Sequence, residues 1–267
     1  MEIQAVTFSE PKDGYAPGDW QDGAYGGVVG DGRARFIVLD GASTAYDPVH
    51  WVDLLASSFA SAEGLPSAPR LDPASMRTWF GQLQHQWANE PRSIRDPVEQ
   101  KKFNEAGSMA TLLAFELLGL DGPEPFWQGI ALGDTVLFHV RDLHKLAMVP
   151  NMGPGDFSRR PVGVFTDKNR LDEMTAKLRQ NGGQLLPGDF LFAATDAIAK
   201  WILLAIARDE KKVWHTLANL ADPADFRKLV ADQRREQDPG MQLEDDDVTL
   251  LRVRILARQP SLLLVCR

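Results

Sequence analysis

The chain carries a single cysteine, Cys266, in 267 residues. An intramolecular disulfide is therefore excluded, and one thiol followed only by Arg267 leaves no phosphate-binding loop for a cysteine nucleophile. A basic excess is missing as well. Lys and Arg total 29 against 37 Asp and Glu, a net charge of −8, which repels polyphosphate backbones and predicts no nucleic-acid partner. Long apolar runs are also scarce. The longest, Phe190 to Ala207, is interrupted by Asp196 and Lys200 and falls short of a span of ~20 residues. Met1 to Pro11 lacks the basic-then-apolar layout of a signal segment. These absences read as a soluble, cytoplasmic protein with no membrane partner. No repeat, Gly-x-Ser-x-Gly elbow or Walker loop occurs. The five histidines, His50, His85, His139, His144 and His215, have no zinc-like spacing.

What is present suffices for one large core, and residues 1–267 are expected to form a single domain. Hydrophobic residues make up 44% of the chain, with Trp 7 and Phe 13 supplying bulk to bury. Ile3 to Phe8 and Arg35 to Leu39 read as strands, and Gly23, Gly26, Gly27, Gly30 and Gly32 between them as tight hairpin turns. Trp51, Leu54, Leu55 and Phe59 recur at helical spacing over Pro48 to Ala60, and Trp79, Leu83 and Trp87 repeat it on a second helix, as a core stripe or an interface face. Phe103 to Leu118 is predicted as a third helix. Phe126 to Leu132 and Val136 to Val140 are strand-like and joined at Gly133-Asp134, which predicts a hairpin. Further strands are expected at Leu143 to Val149, Phe190 to Ala194, Val248 to Leu256 and Ser261 to Val265. Helices are expected at Leu171 to Leu178, Ala197 to Ala207, Lys212 to Leu220 and Pro223 to Arg235. Strands at both ends around central helices suggest an α+β fold of helices packed on antiparallel sheets.

The acidic residues fall at junctions. Asp40 ends Phe36-Ile37-Val38-Leu39, Asp196 ends Phe192-Ala193-Ala194-Thr195, Asp134 lies in the predicted turn, and Asp246 precedes Val248-Thr249-Leu250-Leu251. Carboxylates at strand ends that share one cleft repel one another unless a cation joins them, and oxygen-only donors favour Mg²⁺ or Mn²⁺ over zinc. Taken singly, each aspartate also suits a turn cap.

In order along the chain, Trp20-Gln21-Asp22, Val38-Leu39-Asp40-Gly41, Gly107-Ser108-Met109-Ala110-Thr111, Ala131-Leu132-Gly133-Asp134-Thr135, Gly188-Asp189-Phe190-Leu191-Phe192-Ala193-Ala194-Thr195-Asp196-Ala197 and Asp246-Asp247-Val248-Thr249 resemble the motifs of the PP2C (PPM) metal-dependent Ser/Thr protein phosphatases. The segment from Asp40 through Ser43 to Trp51-Val52-Asp53-Leu54-Leu55 looks most like a divergent bacterial branch. The resemblance implies a four-layer αββα sandwich, two antiparallel sheets between helix pairs. It also implies hydrolysis of phosphoserine or phosphothreonine in proteins, as part of signalling opposite a Ser/Thr kinase. Asp40 would bridge two Mn²⁺ or Mg²⁺ ions, the Gly41 carbonyl would bind one of them, and Asp196 and Asp246 would complete the other site. Asp134 would serve a third metal, with Gln21 and Asp22 holding metal-bound waters. The implied chemistry is metal-assisted attack of water on phosphorus without a phosphoenzyme.

The chain departs from the family at several points. Ala42 stands where His or Met is common, Ser43-Thr44 replaces a Gly-Gly pair, Ala197 replaces a glycine, and no Arg immediately precedes Trp20. Arg33, Arg159 and Arg160 are the candidates to hold the substrate phosphate. Two readings follow: a phosphatase, or a catalytically weak PP2C-like protein that binds phosphoproteins or partners as a regulator. Asp245-Asp246-Asp247-Val248-Thr249 formally fits an aspartate-nucleophile motif, but polar Gln242 and Glu244 precede it where a buried strand is needed. His144 to Gly183, rich in charge and turn residues, reads as a substrate-facing flap or a surface insertion.

Overall fold

A computed structural model describes residues 1–16, 20–30, 32–61, 63–157 and 161–258. Their strands form two antiparallel sheets. In the first, β1 (Glu2–Glu10), β11 (Val248–Leu256), β10 (Phe190–Ala194), β6 (Val136–Arg141) and β7 (His144–Val149) lie side by side in that order. The second runs β2 (Asp22–Gly30), β3 (Arg33–Gly41), β4 (Met109–Leu118), β5 (Phe126–Leu132) and β9 (Arg179–Gln184), with the short β8 (Val164–Phe165) paired to β4.

The central strands of both sheets are apolar on both faces, so period two sorts their side chains into three buried layers. Phe36, Val38, Leu113, Phe115, Leu137, Leu191, Ala193, Leu251 and Val253 fill the space between the sheets. Ile37, Leu39, Leu112 and Ala114 face the other way, onto α1 (Pro48–Phe59) and α2 (Pro73–Asn89). Val136, Phe138, Phe192 and Leu250 pack outward against α5 (Asp196–Ala218) and α6 (Pro223–Arg234). The result is the αββα sandwich.

Asp-Pro dipeptides start the helices. Asp47, Asp72 and Asp222 accept backbone N–H groups at the N-caps of α1, α2 and α6, and Asp96 does so for α3 (Pro97–Glu105). In each the following proline takes the first helical turn, where its missing N–H costs nothing. Trp79 and Trp87 are buried as expected, and the Trp79 indole donates to Ser58 Oγ at 2.7 Å.

Four expectations are corrected. Phe103 to Leu118 is not one helix: α3 ends at Glu105, Gly107 turns the chain with φ of +61°, and Met109–Leu118 is the central strand β4. A strand buried on both faces shows no polar alternation, and its Ala and Leu content imitates a helix. Gly133-Asp134 does turn the chain, but it passes β5 of the second sheet to β6 of the first and is no hairpin. Gly23, Gly26 and Gly27 lie inside β2, not in turns; a Cβ on Gly26 would stand 2.1 Å from Cδ1 of Phe36. The predicted helices at Ala197 and Lys212 belong to one element, α5, broken at Asp209, whose φ of −154° is not helical. The expected flap, His144 to Gly183, contributes its first residues to β7 and its last to β9; between them lie β8 and α4 (Leu171–Ala176). The strand expected at Ser261 to Val265, and Cys266, lie outside the described residues. Among the described residues no helix is long and apolar enough to cross a membrane.

Candidate active site

The inner layer becomes polar at one end. Where Val38, Leu113, Leu137, Ala193 and Leu251 fill it, the next inward positions toward that end are Asp40, Thr111, Thr135, Thr195 and Thr249. Asp22 joins them, because β2 pairs with β3 in the register Asp22 opposite Asp40, and Asp40 in turn stands opposite Thr111. On the first sheet Ala194 stands between Val136 and Leu250. That register gathers the Asp134 crossover, the first residue of α5, Asp196, and the entry to β11 at Asp246 and Asp247.

Hydrogen bonds tie the two sheet ends together. Thr249 Oγ1 and Thr195 Oγ1 both donate to Asp22 Oδ2, at 2.7 and 3.1 Å, and the Thr249 N–H donates to Thr195 Oγ1 at 2.9 Å. Asp247, itself buried, accepts the Gln21 N–H at 2.9 Å and the Lys12 N–H at 3.0 Å. The Gly41 N–H donates to the Gln21 carbonyl at 3.2 Å, and a Cβ on Gly41 would stand 2.6 Å from that oxygen, so only glycine permits this approach. Ala197 is helical within α5, so its methyl replaces a glycine hydrogen without backbone strain.

The carboxylates act strongly on one another. Burial first, then Asp196, Asp22, Asp134 and Asp246, push Asp40 well above the usual carboxylate range. Burial, followed by Asp134 and Asp246, raises Asp196 to about 7. Asp22 is raised well above its ordinary value by burial, against the lowering bond from Thr249, and Asp246 is raised by burial too. Thus Asp22, Asp40, Asp134, Asp196 and Asp246, contributed by both sheets, share one electrostatic environment. Among the described residues no three acidic, histidine or cysteine side chains are drawn together closely enough to form a ready-made metal site. The donor chemistry still suits a hard divalent cation: the groups are all oxygens, and Gln21 Oε1 is buried without a hydrogen-bond partner among the described residues.

Sequence reasoning missed Lys12. Its backbone N–H binds Asp247, its Nζ donates to Ser43 Oγ at 3.3 Å, and its charge lowers the proton affinity of Asp246. The Tyr15 ring lies 4.3 Å from that ammonium. Its place ten residues before Asp22, in a turn-rich stretch, gave no motif to find it by. Arg33 stands at the opposite end of β3 from Asp40, about 23 Å along the strand at ~3.3 Å per residue, and pairs with Glu116 at 3.4 Å. It is not part of this site. Arg159 and Arg160 lie outside the described residues. Asp245 is exposed in the loop before β11, so the strand that an aspartate-nucleophile motif needs is absent there.

No family model matches the chain, and no curated protein matches it in sequence. Solved structures do match over nearly its whole length. PppA, a key regulatory component of T6SS in Pseudomonas aeruginosa, is 18% identical with a TM-score of 0.54, covering 95% of this chain and 98% of that one. The S. agalactiae serine/threonine phosphatase is 12% identical, TM-score 0.59, over 95% of this chain and 100% of its own. The catalytic domain of the serine/threonine protein phosphatase PstP, solved with two manganese ions, is 13% identical, TM-score 0.59, over 96% and 99%. The chain has a PP2C-like fold.

Proposed function

We propose that the chain is a metal-dependent protein Ser/Thr phosphatase acting on a phosphoprotein, the product of a Ser/Thr kinase. The observation that carries this reading is the register that brings five aspartates from both sheets to the polar end of the inner layer, where Asp22, Asp134, Asp196 and Asp246 all raise the cost of ionising Asp40. The likeness in fold to PstP, which holds two manganese ions, supports it. Asp40, Asp196 and Asp246, with the Gly41 carbonyl, would hold two Mn²⁺ or Mg²⁺ ions, and Asp134 would serve a third. Bound there, such ions supply Lewis-acid charge and an activated water for attack on phosphorus.

The chain's own residues do the rest. Asp22 fixes Thr195 and Thr249, and through them the adjoining Asp196 and the strand that Asp246 precedes. Gln21 offers its free Oε1 to ordered water. Lys12, the cation beside Asp246 and Ser43, neutralises the incoming phosphoryl group and orients it. Ala42 provides no general acid, so the leaving oxygen takes its proton from water or another group.

A regulatory, catalytically weak protein is the second reading. The Ser43-Thr44 replacement and the lack of an Arg immediately before Trp20 favour it. Hydrolysis of a phosphothreonine peptide with Mn²⁺, with EDTA and by Asp196→Asn separates the two. Turnover lost in both controls supports the phosphatase; no turnover by folded wild type with Mn²⁺ supports the regulator.

A further inference from the structure

Beside the acidic centre the surface opens into a cleft of about 400 Å³ whose walls include Asp134, Asn151, Met152, Val162, Lys177 and Arg179. That size falls within the range of small-ligand and side-chain pockets. Its walls carry both signs of charge. Asp134 is buried at the crossover between β5 and β6, whereas Lys177 and Arg179 are exposed where α4 passes into β9. Arg179 stands opposite Ala131, three residues before Asp134, so β9 carries its guanidinium along the strand that delivers Asp134.

The cations are not equivalent. Lys177 Nζ is held by Glu173 Oε1 at 2.9 Å. Arg179 donates only to the Leu178 carbonyl, at 3.1 Å, among the described residues, and no carboxylate there forms an ion pair with it. Asp156, on the same cleft, is occupied in its own turn, accepting the Gly153 N–H at 2.7 Å. An unpaired guanidinium presents a planar fork that matches a carboxylate.

We propose that this cleft binds an acidic side chain flanking the phosphorylated residue of the substrate, with Arg179 as its principal contact. The inference rests on the phosphatase reading of the adjoining site. A chain of net charge −8 repels acidic peptides in general. One unpaired cation next to the acidic centre, Arg179, therefore selects among phosphorylated segments, while Met152 and Val162 supply an apolar wall for the side-chain stem.

The test is binding of two non-hydrolysable phosphonothreonine peptides to the full chain with Mn²⁺, read by fluorescence anisotropy. The peptides differ only in carrying Glu or Gln on both sides of the phosphonate. Wild type is expected to bind the Glu peptide about twofold to fivefold more tightly, the scale of a partly exposed ion pair, and to lose that preference at high salt. Arg179→Gln is expected to bring the ratio to about one, Arg179→Lys to keep part of it, and Arg33→Gln, on the far end of β3, to leave it as in wild type. Equal binding of both peptides, binding of neither, or an unchanged ratio in Arg179→Gln overturns the subsite. Hydrolysis of p-nitrophenyl phosphate, measured in parallel, reports on catalysis separately: peptide discrimination without turnover would retain the subsite and reject the enzyme.

Discussion

Thr249 Oγ1 donates a hydrogen bond to Asp22 Oδ2 at 2.7 Å, although the two residues stand 227 positions apart in the chain. Thr195 shares the same oxygen, so one carboxyl oxygen on the second sheet fixes the ends of two strands of the first. Both hydroxyls are fully buried, and neither has water as an alternative partner.

Asp22→Ala should therefore strand two buried donors, costing about 1–3 kcal/mol in chemical denaturation. Because Thr195 and Thr249 adjoin Asp196 and the Asp246 loop, the same change should weaken Mn²⁺ binding by about 10-fold to 100-fold in calorimetry, the range for groups that orient ligands. Asp22→Asn keeps an acceptor for both hydroxyls and copies the protonated form that burial favours, so it should stay within about threefold of wild type in Mn²⁺ affinity. Equal losses in both variants would show that charge, not the threonine clamp, is what Asp22 provides.

Asp40 is opposed by Asp196, Asp22, Asp134 and Asp246. Removing its charge should relieve that repulsion. Asp40→Asn is expected to raise the melting temperature of the EDTA-treated protein at pH 8 by about 2–4 °C, of order 1 kcal/mol. The variant should also lack the further rise that Mn²⁺ is expected to give wild type, because a bound ion stabilises the folded state by mass action. A drop in the metal-free melting temperature would mean that Asp40 serves the fold before the site.

Lys12 meets the site through Ser43 and Asp246. Lys12→Gln should lower kcat/KM for p-nitrophenyl phosphate about tenfold or more, the loss of one charge-assisted contact, with Lys12→Arg restoring most of it. Unchanged kcat/KM in Lys12→Gln would remove Lys12 from the reaction.

Much of this arrangement was legible in the sequence, and the exceptions share causes. Asp40 and Asp196 could be found because each breaks an apolar run at a strand end. The layered fold could be read from strands placed at both ends of the chain. Met109–Leu118 misled because a central strand covered on both faces loses its alternation. Asp134 does lie where the chain turns, but not in the expected hairpin, because pattern alone does not say which sheet a strand joins, and β5 and β6 join different ones. Lys12 and Arg179 had no signal at all. Each is an ordinary surface cation until long-range register sets one beside Asp246 and the other beside the strand leading to Asp134.

Away from the candidate site, Asp189 anchors a buried network across the sheets. Arg141 donates to both its oxygens at 2.7 and 2.8 Å, His139 Nε2 lies 2.9 Å from Oδ2, and the Leu186 N–H donates at 2.9 Å. The Trp127 indole of the second sheet donates to His139 Nδ1 at 3.1 Å; an indole only donates, so the proton between His139 and Asp189 sits on Nε2. Burial alone would raise the Asp189 pKa, but the bonds from Arg141, His139 and Leu186 outweigh it and hold the carboxyl far below its ordinary value. A depressed acid contributes stability that is present above its unfolded pKa of about 3.9 and lost as pH falls toward the folded value. Asp189→Asn is therefore expected to cost about 2 kcal/mol or more at pH 7, after allowing for the partial exposure of Arg141. The gap between variant and wild type should narrow as pH falls from 5 toward 3, measured by urea unfolding at each pH. A gap that stays constant over that range would assign the loss to packing instead of the ionised carboxylate.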